Sequence, residues 1–391
     1  MMLGFLLARA GVDVYVLEKH KDFLRDFRGD TIHPSTLELM RELGFLDEFL
    51  RLPHQEVREL AAQIGNDVVL VGDFGHVPAH CKFLAMMPQW NFLNFIAEKG
   101  KEYPGFHLMM CAEVTEYVEA NGIVSGVRAK TENGELEVRA DLTVGADGRH
   151  SVSRDQAGLG VVDLGAPMDV MWMRISRLPD DPAQTFGHVE AGKILVMIER
   201  EKYWQCAYVI PKGTASAVRE KGLPAFREEI AKLSPFLGDR VQELRDWNDV
   251  SLLTVAVDRL SRWSKPGFLC IGDAAHAMSP VGGVGINLAI QDAVAAANLL
   301  AASLRKGRPT EEELRKVQKR REFPTRATQQ VQIFFQKKII GKVLTAAKPA
   351  SASWIMKLVG RVPLLRRIPA RIVGVGFRPE HVRTPDIRRA A

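Results

Sequence analysis

The sequence predicts an α/β fold, with added α+β elements, built on an open parallel sheet that binds a ligand at the carboxyl ends of its strands. Three apolar segments support this prediction, because each is typical of a buried parallel strand and each is closed by an acidic residue: Glu18, Asp147 and Asp273. Open α/β sheets bind their ligands at this edge. We therefore expect the three carboxylates to outline one dinucleotide site.

The chain opens with a predicted helix and a strand. Residues 1–10 have the apolar spacing of a helix with Gly11 as its C-cap, and residues 12–18 form a strand that ends at Glu18. A dinucleotide site normally begins one strand earlier, with a Gly-x-Gly-x-x-Gly turn roughly 20 residues before the acid. We therefore expect this sequence to lack that strand and its Gly-x-Gly-x-x-Gly turn, through either a misplaced start or a real truncation.

Helices and strands then alternate. Pro34 and Pro88 stand near the starts of two helical patterns, and Asn133-Gly134 between two alternating segments is a strong hairpin signal. The predicted helices cover residues 34–50 and 86–98, and the predicted strands lie within residues 56–71 and 113–145.

The sequence pattern changes between Pro167 and Val257. Short alternating segments there predict an antiparallel sheet with one covered face, interrupted by a helix over residues 223–237. A long helix is expected from Gly285 to Leu304, and residues 309–346 are also helical in pattern. The four clearest strands of the sheet are predicted over residues 170–175, 186–189, 193–198 and 204–210.

Composition excludes several classes of protein. The four cysteines form no CxxC pair, which argues against a disulfide framework or a metal site. We find no secretory signal, no apolar run long enough to span a bilayer and no nucleic-acid-binding motif, and we expect a cytoplasmic protein that is a monomer or a homodimer.

The net charge of +6 is concentrated at the C-terminus. Residues 361–391 hold eight arginines against Glu380 and Asp386. Such a segment can bind an acidic partner, a membrane surface or nucleic acid. We expect instead an extended arm packed on the body of the protein, because four prolines within it should break any long amphipathic helix.

The strongest motif covers residues 272–287. Gly272-Asp273 follows a short apolar strand, and several glycines precede the helix that starts near Gly285. Glycines let the backbone pass close under a flat ring, and the helix directs its positive dipole end at that ring. With Glu18 and Asp147-Gly148, these pieces resemble the FAD-dependent aromatic hydroxylases, the single-component flavoprotein monooxygenases related to para-hydroxybenzoate hydroxylase.

The resemblance implies a Rossmann-like, discontinuous FAD-binding domain with an inserted antiparallel-sheet substrate domain and a C-terminal helical, Arg- and Pro-rich extension. The FAD-binding domain would comprise residues 1–55, 86–166 and 252–305, the substrate domain residues 56–85 and 167–251, and the extension residues 306–391.

It also implies roles for single residues. Glu18 would accept hydrogen bonds from the adenosine ribose and Asp273 from the ribitol, Asp147-Gly148 would contact the FAD pyrophosphate and incoming NAD(P)H, and Pro280 would lie near flavin C4a. No other catalytic residue is assigned. The expected cofactor-binding residues are Glu18, Arg28, Gln89, Val114, Asp147, Gly148, Gly272, Asp273, Pro280, Gly285, Ile286 and Asn287.

His276 is expected to bond a neighbouring loop rather than to act in catalysis, and no residue is assigned to a metal.

The substrate would lie on the inserted sheet. Aromatic side chains of a sheet often serve only in packing, so the substrate assignments are weaker than those for the cofactor. The candidates are Trp172, Arg174, Phe186, His188, Tyr203 and Trp204.

The implied reaction is hydroxylation of an aromatic or polycyclic hydrophobic substrate. In this family NAD(P)H reduces FAD, and O2 then gives a flavin C4a-hydroperoxide that delivers one oxygen atom. The alternatives are a flavin-dependent reductase or halogenase of the same fold, or a degenerate, non-catalytic ligand-binding protein. The halogenase signature Trp-x-Trp-x-Ile-Pro is not matched by residues 172–175.

Overall fold

The computed structural model describes residues 1–24, 31–64, 67–149, 152–182, 186–190, 192–346 and 354–388. Strands and helices alternate over the first half of the chain, antiparallel strands follow, and helices close it. This order agrees with the predicted fold class.

The strands supply the sheets that hold the candidate site. They are β1 Val14–Leu17, β2 Thr31–Ile32, β3 Gln55–Val57, β4 Glu59–Ile64, β5 Asp67–Asp73, β6 Leu84–Met86, β7 Phe106–Met109, β8 Glu113–Ala120, β9 Ile123–Thr131, β10 Gly134–Arg139, β11 Thr143–Gly145, β12 Val161–Asp163, β13 Met168–Ser176, β14 Phe186–Glu190, β15 Lys193–Arg200, β16 Tyr203–Pro211, β17 Ser251–Leu253, β18 Asp258–Leu260, β19 Ser264–Lys265, β20 Phe268–Cys270 and β21 His276–Ala277.

The helices pack on these sheets. They are α1 Met2–Arg9, α2 Pro34–Glu42, α3 Leu46–Phe49, α4 Gln89–Lys101, α5 Val152–Ala157, α6 Ala215–Glu220, α7 Leu223–Leu233, α8 Gly285–Leu304, α9 Glu311–Phe335, α10 Gly341–Leu344, α11 Trp354–Arg361 and α12 Pro363–Gly374. A π-helical turn, Gln336–Ile340, joins α9 to α10.

Two parallel strand pairs lie in the predicted dinucleotide-binding region. β1 pairs with β7, and β11 pairs with β20, both in parallel. Helices α1 and α8 pack together beside these strands, and their apolar side chains share one core. The predicted hairpin is confirmed, since β9 and β10 are joined at the Asn133-Gly134 turn and β8 completes a three-stranded meander.

A seven-stranded sheet lies apart from the parallel strands. Its order is β17-β13-β16-β15-β14-β4-β5, antiparallel except where β14 meets β4. Its two faces carry different apolar clusters because side chains alternate along each strand. One cluster packs against α7, and the other reaches the loop before α8 and helix α10.

Two helix predictions and the expectation for the C-terminal arm needed correction. The helix predicted over residues 34–50 breaks at Gly44, whose φ of +80° is left-handed, and continues as α3. The helix predicted over residues 223–237 ends at Leu233 and gives way to a 3-10 segment. The expected extended C-terminal arm is helical at α12, where Pro363 occupies the first turn and Pro369 lies inside the helix.

Beyond α12 the chain does lie on the body. Glu380 accepts from Arg320 Nε at 2.6 Å, and Arg9 Nη1 donates to the Thr384 carbonyl at 2.7 Å. In the described parts of the chain, one helical segment, Val281–Leu304, is long and apolar enough to cross a membrane, but 72% of its most apolar window is buried in the protein. It is therefore a core helix.

Candidate cofactor site

The two central acidic motifs meet at one sheet edge, as predicted. Gly145 and Cys270 are register partners in the parallel pair β11–β20, and the Ile271 amide donates to the Gly145 carbonyl at 3.0 Å. Asp147 and Asp273 therefore follow the carboxyl ends of two neighbouring strands. This is the edge at which open α/β sheets bind ligands.

Asp273 lies in a tight turn that requires glycine before it. Gly272 has a left-handed φ of +59°, and a Cβ there would lie 2.9 Å from the Ala289 Cβ of α8. A larger residue would therefore both strain the backbone and push α8 away. The turn presents the Asp273 carboxylate, whose side chain is 36% exposed, beside the first turn of α8.

Arg149 is a site residue that the sequence-based assignment missed. Its Nε lies 3.4 Å from Asp273 Oδ2 and its Nη2 lies 3.4 Å from the Met278 carbonyl. Its Nη1 is buried and has no hydrogen-bond partner among the described residues. A buried guanidinium donor without a partner is costly, so this atom is suited to an anionic ligand such as a pyrophosphate.

Asp147-Gly148 forms the neighbouring part of the site. Asp147 Oδ2 accepts from the Ser153 amide at 3.1 Å, which attaches this loop to the start of α5. Gly148 has a φ of +86°, and no atom lies within 4 Å of where its Cβ would be. The glycine thus leaves open space and a left-handed turn between Asp147 and Arg149, which suits close approach of a ligand to the backbone.

The loop between β21 and α8, which we call the glycine loop, is shaped by its glycines. Gly282 and Gly283 have φ values of +79° and +62°, and a Cβ on Gly283 would lie 2.7 Å from Thr31 Oγ1. Pro280 precedes this turn, half-buried. Helix α8 begins at Gly285 without a side-chain cap, so its first amides are not occupied by a side chain of its N-cap residue and its positive dipole end faces the site.

The Asn287 side chain makes its hydrogen bonds within the protein. Its Nδ2 donates to the carbonyls of Thr31 and Gly283, at 2.8 and 3.3 Å, and its Oδ1 accepts from the His33 amide and from Thr36 Oγ1, at 2.9 and 2.8 Å. The side chain is buried and its hydrogen-bonding capacity is used within the protein. Asn287 therefore fixes the glycine loop to β2, and its neighbour Ile286 packs against the core.

The other expected cofactor residues lie on separate elements. Glu18 follows β1, and its Oε1 accepts from the His20 amide at 2.9 Å. Gln89 is the first residue of α4, and Val114 lies in β8 opposite Ala129. Arg28 falls outside the described residues.

His276 belongs to a buried ionic network behind the site. Its Nε2 lies 2.6 Å from Asp292 Oδ2, which also accepts from the Gly272 amide at 3.1 Å, and Asp292 Oδ1 accepts from Arg321 Nε at 2.9 Å. Burial raises the pKa of the Asp292 carboxyl, but His276 and Arg321 outweigh it and the pKa lies below its ordinary value. His276 thus holds the turn rather than facing a ligand.

The substrate candidates divide between the two faces of the seven-stranded sheet. Trp172 belongs to the cluster that contains Val281 of the glycine loop, and on the same face the Arg174 guanidinium carbon lies 4.8 Å from the Tyr203 ring centre. Trp204 is on the opposite face, fully buried against Phe236, with its Nε1 donating to Asp181 at 2.8 Å.

His188 also belongs to the opposite face. It pairs in register with Leu195, a member of the cluster that α7 covers, and its Nε2 lies 3.4 Å from Glu190. Phe186 is the first residue of β14. The structure therefore brings Trp172, Arg174 and Tyr203 together and separates them from Trp204 and His188. No group of three or more His, Cys, Asp or Glu side chains that could hold a metal occurs in the described part of the chain.

Comparison with known proteins agrees with this geometry. The family model described as "FAD binding domain" matches residues 1–331. The 6-methylpretetramide 4-monooxygenase of Streptomyces rimosus is 31% identical over 376 residues, which are 95% of this chain and 89% of that protein.

The chain belongs to the family of FAD-dependent aromatic hydroxylase-type monooxygenases. Its cofactor is FAD, and the predicted class, an FAD-dependent oxidoreductase, is confirmed. An uncharacterized aromatic compound monooxygenase of Bacillus subtilis (strain 168) is 24% identical over 79% of this chain, which spans only 60% of that relative. The crystal structure of a probable FAD-dependent monooxygenase from Pseudomonas aeruginosa shares the fold, with a TM-score of 0.72 at 20% identity over 88% of this chain and 94% of that one.

Proposed function

We propose that this flavoprotein hydroxylates an aromatic or polycyclic hydrophobic substrate with NAD(P)H and O2. One observation carries the proposal: Trp172 of the seven-stranded sheet and Val281 of the glycine loop belong to the same apolar cluster. The sheet face around Trp172 therefore adjoins the loop that would pass under the flavin ring. An apolar substrate on that face would lie next to the ring and away from water.

The residues of the site fit the cofactor. Asp273 would accept hydrogen bonds from ribitol hydroxyls, Arg149 would donate its unpaired Nη1–H to the pyrophosphate, and the start of α8 would stabilise negative charge on the flavin pyrimidine. Bound FAD would supply the redox chemistry, namely acceptance of hydride from NAD(P)H and activation of O2 for oxygen transfer. The sheet face would exclude water and orient the carbon that is hydroxylated.

The division of the chain is part of the proposal. Residues 1–55, 86–166 and 252–305 would bind FAD, and residues 56–85 and 167–251 the substrate. Pairing of β4 and β5 with the inserted strands in one sheet supports this division. The relatives named for monooxygenation of 6-methylpretetramide and of aromatic compounds support the substrate class.

The test uses the full chain loaded with FAD. We expect polycyclic phenols to stimulate NADH or NADPH oxidation and to acquire one oxygen atom from labelled O2. The Trp172→Ala variant should raise the substrate KM. Trp247→Ala, in a 3-10 turn that packs against Phe226 of α7, should leave it unchanged. Incorporation of halide, flavin reduction without oxygenation, or FAD binding without turnover would each contradict the proposal and favour the halogenase, reductase or ligand-binding alternative respectively.

A further inference from the structure

Positive charge is concentrated in one continuous segment near the C-terminus. Residues 323–379 contain eleven lysines and arginines and no aspartate or glutamate, whereas the whole chain has a net charge of only +6. The rest of the protein is therefore net negative. A segment of this length without any acid is unusual for a solvated surface that mixes both signs of charge.

Helix α12, within this segment, exposes apolar side chains among its arginines. Leu364 and Ile368 are 64% and 57% exposed, and Arg371 is exposed as well. Positions 364, 368 and 371 are spaced four and three residues apart, which places them on one face of a helix. That face is amphipathic in composition, yet no described part of the protein covers it.

The opposite face of α12 is fastened by small residues. Ala370 and Gly374 are buried, and a Cβ on Gly374 would lie 3.1 Å from the Phe74 ring and 3.2 Å from Pro34. At the end of the helix the Val373 carbonyl accepts from His33 Nδ1 at 2.6 Å. The helix is thus held on the body with Leu364, Ile368 and Arg371 directed outwards.

Other elements of the same segment repeat this combination of apolar and basic side chains. Leu358 of α11, which packs against α12, is 44% exposed. Phe334 and Phe335, at the end of α9, are 59% and 39% exposed and are followed directly by Lys337 and Lys338. Isolated exposed apolar residues need no explanation, but their concentration in the acid-free segment does.

We propose that the surface formed by α11 and α12 binds an anionic lipid bilayer. Leucine and isoleucine side chains would enter the headgroup boundary while arginines pair with lipid phosphates. Self-association through α12 is disfavoured, because α12 contains arginines and no acid, so two copies of this helix repel each other. Single-stranded nucleic acid is also disfavoured, because Leu364 and Ile368 offer no ring for base stacking.

Vesicle co-sedimentation of the full-length FAD-loaded protein tests this inference. We expect binding to vesicles of phosphatidylcholine with phosphatidylglycerol, little binding to phosphatidylcholine alone, and loss of binding at high salt. The Leu364→Gln/Ile368→Gln and Arg361→Gln/Arg371→Gln double variants should each weaken binding at least tenfold. The matched controls Val161→Gln and Arg262→Gln, on exposed residues outside the segment, should bind like the parent protein.

Three outcomes would overturn the proposal. The first is absence of binding to anionic vesicles by the parent protein. The second is binding that the Leu364→Gln/Ile368→Gln variant retains fully and that a DNA oligonucleotide or heparin competes away, which would indicate a general polyanion surface. The third is a dimer in size-exclusion chromatography that the same variant disrupts. Unchanged far-UV circular dichroism and FAD content in every variant keep these outcomes separate from misfolding.

Discussion

Two ion pairs flank the Gly272 turn, and they differ in how completely they are satisfied. Behind the turn, Asp292 and Arg321 are fully buried and 2.9 Å apart, and the carboxylate also accepts from His276 and from the Gly272 amide. In front of it, Asp273 and Arg149 are partly exposed and 3.4 Å apart. One pair is complete within the protein, and the other retains hydrogen-bonding capacity.

This difference distinguishes charged groups whose partners lie within the protein from charged groups that remain available to a ligand. A buried carboxylate is tolerated only when partners compensate for its desolvation, which His276, Arg321 and Gly272 do for Asp292. Arg149 Nη1 is buried without such compensation among the described residues. That deficit supports our proposal that a ligand completes the front pair.

Removal of the rear carboxylate should produce the largest effect. The Asp292→Ala change leaves His276 and the Arg321 Nε–H buried without their acceptor, and we expect the free energy of unfolding to fall by about 3–5 kcal/mol. Urea denaturation of the FAD-free protein measures this. Asp273→Ala is the matched control, because its partly exposed pair should contribute only about 0–1 kcal/mol. Equal destabilisation by the two changes would remove the distinction between the pairs.

Removal of the front carboxylate should instead affect FAD affinity. Asp273→Ala would lose one or two charge-assisted hydrogen bonds to the ribitol, about 1.5–3 kcal/mol for each. Fluorescence titration of the FAD-free protein should therefore show a dissociation constant raised at least tenfold. Asp180→Ala, an exposed acid on the sheet insertion, is the control. If the dissociation constant does not change, Asp273 does not contact the cofactor.

A conservative change at Arg149 sharpens the comparison. Arg149→Lys keeps the positive charge but loses the fork of donors to which Nη1 belongs, so we expect FAD binding to weaken by about 1–2 kcal/mol. The same titration applies, with Arg262→Lys as the control. Equal affinity in the lysine variant would show that charge alone matters at this position.

The sequence was sufficient for those parts of the site that depend on local pattern. Apolar strands ending in Asp147 and Asp273 meet at one sheet edge, and α8 begins at Gly285 and ends at Leu304 as predicted. Period, capping and glycine signals are local, so they can be read without knowing what packs against each element.

The remainder depends on contacts distant in sequence. The Asn287 side chain bonds to Thr31, His33 and Thr36, which are 251 to 256 positions away, and no pattern near residue 287 indicates these partners. Arg149 follows a predicted motif, but its unpaired donor becomes visible only once neighbouring atoms are placed.

Alternation in the inserted sheet also limits prediction. An aromatic residue in a strand can point to either face, and only the register and the position of α7 separate Trp172 from Trp204. Similarly, the prolines in this segment predicted that no long helix would form. Pro363, however, occupies the first turn of α12, where its missing amide removes no hydrogen bond. Packing on Phe74 holds the helix in place.

A third buried polar group, His33, is neutral in the fold and gives the smallest expected effect. Burial lowers its pKa from 6.5 to about 4, although the carbonyls of Val373 and Gly282 favour the protonated ring. Because the folded-state pKa lies below the unfolded one, stability is full above about pH 6.5 and is lost as the pH falls toward 4. Between about pH 8 and pH 6 this loss should be about 1 kcal/mol.

Urea midpoints at these two pH values test the expectation in the FAD-free protein. The His33→Gln variant should lack this part of the pH dependence, because glutamine does not titrate, whereas the exposed His80→Gln control should retain it. If His33→Gln and the parent protein lose the same stability between the two pH values, His33 is not held neutral in the fold. In that case the His33 ring would carry a charge in the folded protein. Its burial would then require a compensating acceptor, as the burial of Arg321 requires Asp292.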